Sequence, residues 1–220
     1  TEIGNNDLGK LANCSEIIVD PDNRYYTTEG GALYDRNLTT LLAYPTALRG
    51  VLYVPDGVQR IASYACYNCE GLSAVEFPGS VTSIGAYAFA NRDAITKVEL
   101  PSALKEFSPT AFNYCKKIKK YTLKDCENFV VVDNVLFTKD KKTLVAYPTD
   151  NDVHNYKIPD GTEVLGDYSF SYCYSLHGID IPNSITKVGD YCFYMTSSLA
   201  GIIKFGDKLK SIGKYCFSNC

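Results

Sequence analysis

The sequence predicts a repeat solenoid built mainly from β-strands, and three observations carry that reading. A nine-position phrase returns at a fixed interval. Leu72, Val75, Phe77, Pro78, Val81, Ile84, Gly85, Ala88 and Phe89 are followed 23 residues later by Ile95, Val98, Leu100, Pro101, Leu104, Phe107, Ser108, Ala111 and Phe112. The phrase comes back over 176–193 and, with one residue inserted, over 199–217. A period in the twenties marks coils that each cover the apolar face of the next. Apolar residues also alternate inside the phrase, as in a half-buried strand. Finally, a longer stretch with its own pattern occurs twice, its Ala-Tyr-Pro motifs 103 residues apart and the Pro-Asp-Gly motifs that follow 104 apart.

Within one coil, Val75-Glu76-Phe77 reads as a short strand with Val75 and Phe77 inward and Ala74 and Glu76 outward. Pro78 ends it, because proline has no N–H for a sheet ladder. Gly79-Ser80 makes a turn, Val81 to Ile84 returns along the opposite wall, and Gly85 admits a positive φ. Ala88-Phe89 then plugs the coil from behind on a short helical turn. The aligned strands fall at 17–19, 52–54, 75–77, 98–100, 121–123, 156–158, 179–181 and 203–205. Every coil runs the same way round, so these strands are expected to be parallel, about 4.8 Å apart.

The longer stretches carry two β-rich runs flanking the polar segments 35–37 and 138–142, which predicts an inserted β-hairpin in each. Val54-Pro55-Asp56-Gly57 and Ile158-Pro159-Asp160-Gly161 then restart the short phrase. The chain therefore divides into super-repeats of about 17–120 and 121–220, with hairpin coils of about 24–50 and 128–155, inside a single repeat domain spanning 1–220. A start without methionine and an end in mid-phrase lead us to expect a piece of a longer protein.

A net charge of −3 with basic and acidic residues interspersed argues against a nucleic-acid partner. The basic run Lys116-Lys117-Ile118-Lys119-Lys120 straddles a coil junction and reads as a solvated edge. No apolar run approaches the roughly 20 residues of a membrane-crossing helix, so membrane insertion of this segment is not expected.

The phrase Leu-x-x-Val-x-Phe-Pro-x-x-Val-x-x-Ile-Gly-x-x-Ala-Phe, with cysteine three residues after phenylalanine in several coils, resembles the BspA-like leucine-rich repeat family. The stretch Val19-Asp20-Pro21-Asp22-Asn23-x-Tyr25-Tyr26 and the hairpins resemble it too. The resemblance implies a right-handed leucine-rich-repeat coil stack with a parallel sheet on its concave face. It further implies a surface of bacteria or parasitic protozoa and adhesion to host matrix or plasma proteins such as fibronectin and fibrinogen. Cys66 and Leu11 in the phenylalanine slot, Thr110, Leu8-Gly9-Lys10, and Gly206 in place of the strand-ending proline depart from the pattern.

The nine cysteines include Cys66-x-x-Cys69, which invites a metal or redox reading. Alignment instead places Cys69, Cys115, Cys173, Cys220 and Cys14 in one column, Cys66 in the phenylalanine column, and Cys192 and Cys216 in the Ala88 column. We read them as structural thiols, with a disulfide or a metal as alternatives. Cys126 lies outside the columns and is the expected exposed thiol. Tyr64, Tyr87, Tyr168, Tyr191 and Tyr215 form a column read as a stacked ladder shielding the core, or alternatively as an aromatic binding strip. His154 and His177, the only histidines, lie at outward positions without a catalytic constellation.

These readings predict no enzyme, no cofactor and no metal. They predict a non-catalytic module that binds an extracellular or host protein through the concave sheet face. Its expected binding residues are Tyr53, Glu76, Lys97, Glu99, Lys120, Thr122, Lys157, Asp180 and Lys204. The alternatives are a structural spacer projecting other domains and, less favoured, a carbohydrate-active enzyme using Glu76 and Glu99. The hairpins offer edges for a partner's strand.

Overall fold

A computed structural model describes residues 13–220. Leu11 and Leu8-Gly9-Lys10 lie outside the described residues. The chain forms two compact units, one containing residues 13–115 and 124–127, the other 116–123 and 128–220. The first carries β1 (Tyr26–Glu29), β2 (Ala32–Asp35), β3 (Thr40–Ala43), β4 (Gly50–Tyr53), β5 (Arg60–Ile61), β6 (Leu72–Glu76), β7 (Ser83–Ile84), β8 (Lys97–Leu100) and β9 (Glu106–Phe107). The second carries β10 (Lys120–Leu123), β11 (Phe129–Val132), β12 (Val135–Thr138), β13 (Thr143–Ala146), β14 (Asn155–Lys157), β15 (Val164–Leu165), β16 (Gly178–Asp180), β17 (Lys187–Val188) and β18 (Ser211–Ile212). The fold is a β-solenoid.

Each unit contains a six-stranded sheet of the same design, β1-β2-β3-β5-β7-β9 in the first and β11-β12-β13-β15-β17-β18 in the second. Its parallel part is built from the return legs of the coils: Leu41 pairs with Ile61, Ile61 with Ile84, and Ile84 with Phe107. Its antiparallel part is the inserted hairpin, which has three strands rather than two. The extra turn is tight, with Gly30 and Gly31 at φ +57° and +76° and their counterparts Asp133 and Asn134 at +49° and +69°. Two successive positive φ values define the turn that matches strand twist, and glycine and Asx residues tolerate it best. The third hairpin strand then joins the return-leg ladder, which is how an antiparallel insertion fits a parallel stack.

The first-leg strands pair in shorter patches, β4 with β6 and β14 with β16. Strands expected at 17–19 and 203–205 do not form. At the second of these, Ala200 N–H makes the last rung to His177 O at 3.0 Å, and Gly201 at φ +82° then turns the chain out of register.

No described residue is helical, which corrects the helical turn expected behind each coil. The segment is a tandem turn whose N–H groups alternate in direction. Ala65 and Tyr67 donate inside the turn to Ala62 O and Tyr64 O at 3.2 and 3.0 Å. Tyr64, Cys66 and Asn68 donate across to Ala86, Ala88 and Ala90 O at 2.9, 2.8 and 3.3 Å. A helix aims all its N–H groups along its own axis and has none to spare for a neighbour. Two left-handed residues per turn make the alternation possible: Tyr64 and Asn68 lie at φ +62° and +58°, Tyr87 and Asn91 at +55° and +63°, Tyr191 and Met195 at +53° and +58°. The left-handed region disfavours bulky side chains, so tertiary contacts hold the tyrosines there.

The core is the stack of inward side chains. Phe89, Phe170 and Phe193 are fully buried, with Phe89 on Phe112 and Phe170 on Phe193 at 5.1 Å between ring centroids. The phenylalanine column thus plugs the coils as the sequence implies.

Candidate functional site

In the first unit, the ladder stops at β6, which is not hydrogen-bonded to β8. Pro78 and Pro101, each just past the end of its first-leg strand, have no N–H with which to extend it. A groove of about 610 Å³ lies there, its walls including Ser73, Glu76, Phe77, Lys97, Glu99 and Lys124. Lys97 Nζ meets Glu99 Oε2 at 2.8 Å, and that hydrogen bond and charge hold the Glu99 carboxyl below the ordinary carboxylate range. A glycosidase pair joins one carboxyl kept protonated to one that stays ionised, and the downward shift suits Glu99 only to the ionised role. Tyr53 stands opposite Glu76 across β4 and β6, 67% exposed and beside the groove rather than in its wall.

In the second unit, a groove of about 440 Å³ runs along β14 and β16, walled by Asn155, Lys157, Asp180, Asn183, Ile202 and Lys204 among others. Ile202 is 90% exposed there, and Ile179 and Ile181 add apolar surface to the same wall. Of the expected binding residues, Glu76, Lys97 and Glu99 therefore meet in one groove, and Lys157, Asp180 and Lys204 in the other. Lys120 is exposed on β10 outside both. Thr122 is half-buried with its hydroxyl covered and unpartnered, so it is not presented to a ligand. Its strand β10 meets the second hairpin, where Tyr121 N–H donates to Asn134 O at 3.1 Å.

The cysteine column has a structural task. Cys115 Sγ donates to Phe89 O at 3.1 Å, Cys69 Sγ to Tyr44 O at 3.4 Å, and Cys220 Sγ to Phe193 O at 2.9 Å. Thr196 Oγ1 takes the same place with Phe170 O at 2.7 Å. The column thus supplies a donor to a carbonyl one coil back, and a hydroxyl serves as well as a thiol. All nine cysteines are free, and burial pushes the Cys69 thiol up to about 11 and Cys115 to about 12, away from nucleophilic use. Cys14 departs from the column, donating to Glu16 O at 3.4 Å. Cys126, expected to be exposed, is buried with its thiol on Leu104 O at 3.2 Å, while Cys220 is the exposed one. Alignment could not foresee this, because it does not tell which way a connection folds.

The tyrosine column is a ladder of stacked rings. Tyr64 lies on Tyr87 at 5.1 Å, and Tyr168 on Tyr191 at 4.8 Å with an interplanar angle of 6°. Inside such a stack each ring face is covered by its neighbour. The faces a sugar would stack on are consumed, and the shielding role fits better than the binding strip. Sequence reasoning missed the left-handed backbone of this column. The one available signal was the companion column four residues on, where Asn68, Asn91 and Asn219 recur.

Comparison with known proteins supplies the remaining findings. The model of the BspA type leucine rich repeat region matches residues 50–153 and 145–220, in six copies. A leucine rich cell surface protein from Faecalibacterium prausnitzii A2-165 superposes with a TM-score of 0.70 at 27% identity over 79% of this chain and 45% of its own. The pneumococcal vaccine antigen PcpA gives 0.64 at 27% identity over 76% of this chain and 47% of its own. A leucine-rich repeat protein from Eubacterium ventriosum, 20% identical with a TM-score of 0.60 over 93% of this chain and 52% of its own, shares the fold. The chain thus spans about half the length of the structures it resembles. Among curated proteins nothing matches it.

Proposed function

The chain belongs to the BspA-type leucine-rich repeat family, and from that premise we propose that it is a protein-binding module of a cell-surface protein, adhering to a host or microbial protein through its first-leg strand face. Membership in a repeat family with a leucine rich cell surface protein among its structural relatives supports the surface location and a protein-interaction role. One observation supports the strand face in particular. Glu76, Lys97 and Glu99 project into a common groove and take no part in plugging the coils, whereas the cysteine and phenylalanine columns are occupied in building them. A groove carrying both signs of charge suits a protein surface of mixed polarity, where complementarity gives specificity.

The test is surface plasmon resonance of the purified chain against a panel of extracellular-matrix and plasma proteins, fibronectin and fibrinogen included. Saturable binding that weakens at least tenfold in the Glu76→Ala, Lys97→Ala, Glu99→Ala triple variant, with an unchanged melting temperature, is the expected result. No saturable binding across the panel would sink adhesion, and binding untouched by the triple variant would move it off this groove.

A further inference from the structure

One pair of side chains outside both the coil-building columns and the groove of the first unit forms a site of its own. His154 directly precedes β14 and His177 directly precedes β16, and the parallel register that sets Asn155 against Gly178 extends back to place the two histidines side by side. The His154 carbonyl accepts both His177 N–H at 2.7 Å and Gly178 N–H at 3.1 Å, which clamps the two backbones together. Gly178 lies against the Asn155 side chain, whose Oδ1 would be 2.4 Å from a Cβ placed there. Both histidines are exposed, and their rings lie 5.2 Å apart at an interplanar angle of 69°.

The chemistry of the pair is directional. His154 Nδ1 lies 2.9 Å from the Ser175 carbonyl, which can only accept, so Nδ1 carries the proton and Nε2 holds the lone pair. A backbone carbonyl on the far nitrogen is the support that orients metal-ligating histidines and fixes their tautomer. Two imidazoles on one tetrahedral ion, each nitrogen about 2.0–2.1 Å from it, have ring centres about 5 Å apart, which is the separation found here, so only the orientation of the His177 ring has to change. The next coil continues the column with Ala200, so the donors end at two. Nor do three or more His, Cys, Asp or Glu side chains gather into a metal-holding group among the described residues.

We propose that His154 and His177 form a two-histidine site for a borderline divalent cation such as Zn²⁺ or Ni²⁺, with water completing the coordination. The exposed His177 ring turns about its own side-chain bonds to bring a nitrogen to the ion held by His154 Nε2. Imidazole donors select this class of ion over Mg²⁺ and Ca²⁺, which take oxygen ligands. The site is independent of protein binding by the groove of the first unit.

The experiment is calorimetric titration with Zn²⁺ alone of a chain in which Cys14→Ser and Cys220→Ser remove the accessible thiols, alongside His154→Ala and His177→Ala in the same background. NMR follows the ring protons of both histidines. One ion per chain is expected, each histidine variant lowering the affinity at least tenfold while its metal-free melting temperature stays at the parent value. Both sets of ring signals should move together up to one equivalent. The proposal is overturned if the background chain binds no Zn²⁺, if both variants bind as tightly as it does, or if the ring signals of only one histidine respond.

Discussion

Truncating a plug in the middle of the phenylalanine column is the sharpest test of how the coils hold together. Phe193 is fully buried, with Phe170 on one face at 5.1 Å and Phe217 on the other at 5.2 Å and an interplanar angle of only 4°. Phe193→Ala removes the ring and leaves a cavity between two coils, for an expected loss of about 3–5 kcal/mol. Within that loss each stacked pair accounts for about 0.5–1.5 kcal/mol. Because each coil touches only its neighbours, the change weakens the interfaces on both sides of its own coil. For a chain of this size each kcal/mol lowers the melting temperature by about 2–4 °C, so the midpoint should fall by about 6–20 °C. Phe217 occupies the same column but is 36% exposed, stacked on Phe193 and edge-on to Phe205 at 6.4 Å. Phe217→Ala should cost about half as much, since less of its surface leaves water. Thermal melts by circular dichroism, with urea titrations at the same pH, measure both. If Phe217→Ala costs as much as Phe193→Ala, or Phe193→Ala changes stability by less than about 0.5 kcal/mol, the column is not what joins the coils.

Three further outcomes follow from the same geometry. Asn91 sits exposed at φ +63° with its amide donating to Asn68 Oδ1 at 2.7 Å; Asn91→Val should cost about 1–2 kcal/mol by urea denaturation, while Asn91→Gly stays near the parent. Arg92 is 2% exposed, its Nε on Phe89 O and its Nη1 on Cys69 O, each at 3.0 Å. Arg92→Ala removes one donor from each of those carbonyls, Cys115 Sγ still serving Phe89 O and Leu72 N–H still serving Cys69 O, and with the buried side chain gone it should lose about 2 kcal/mol or more. Arg92→Lys should recover less than half of that, because an ammonium lacks the fork that reaches both carbonyls; full recovery by lysine would refute the fork. Lastly, disulfide-reagent labelling of the native chain should reach Cys14 and Cys220, the cysteines that are not buried, with the other seven reacting only after unfolding. Rapid native labelling of Cys126 would contradict its placement against Leu104.

Much of the fold is legible in the residues because a solenoid repeats its instructions. The 23-residue interval, the prolines after Phe77 and Leu100, and the phenylalanine plugs each state the same local choice several times. Agreement between copies therefore separates signal from accident. Outward positions of the first-leg strands such as Glu76, Lys97 and Glu99 were legible for the same reason, since a period of two needs only one correct register, whereas Thr122 is covered. What the residues left open is everything that depends on the next coil. The return legs, written as the four residues Val81 to Ile84, become the longer ladder because two neighbouring coils offer them backbone partners. The back wall looks like a helical turn by composition, yet its N–H groups are drawn across to the adjacent coil, and tyrosine is held in a left-handed backbone that it would avoid alone. Glu76 and Glu99 were readable as outward, but the groove they share exists because β6 and β8 are not paired. His154 and His177 were readable as two isolated surface residues, and the β14–β16 register makes them neighbours. The amino-acid sequence alone thus determined the coil, its plugs and its inward and outward faces, since these rest on side-chain volume and alternation within a few residues. Only the tertiary structure decided which walls become sheets, which thiols are hidden and which polar groups meet, because those outcomes are set by hydrogen bonds and packing between coils more than twenty residues apart.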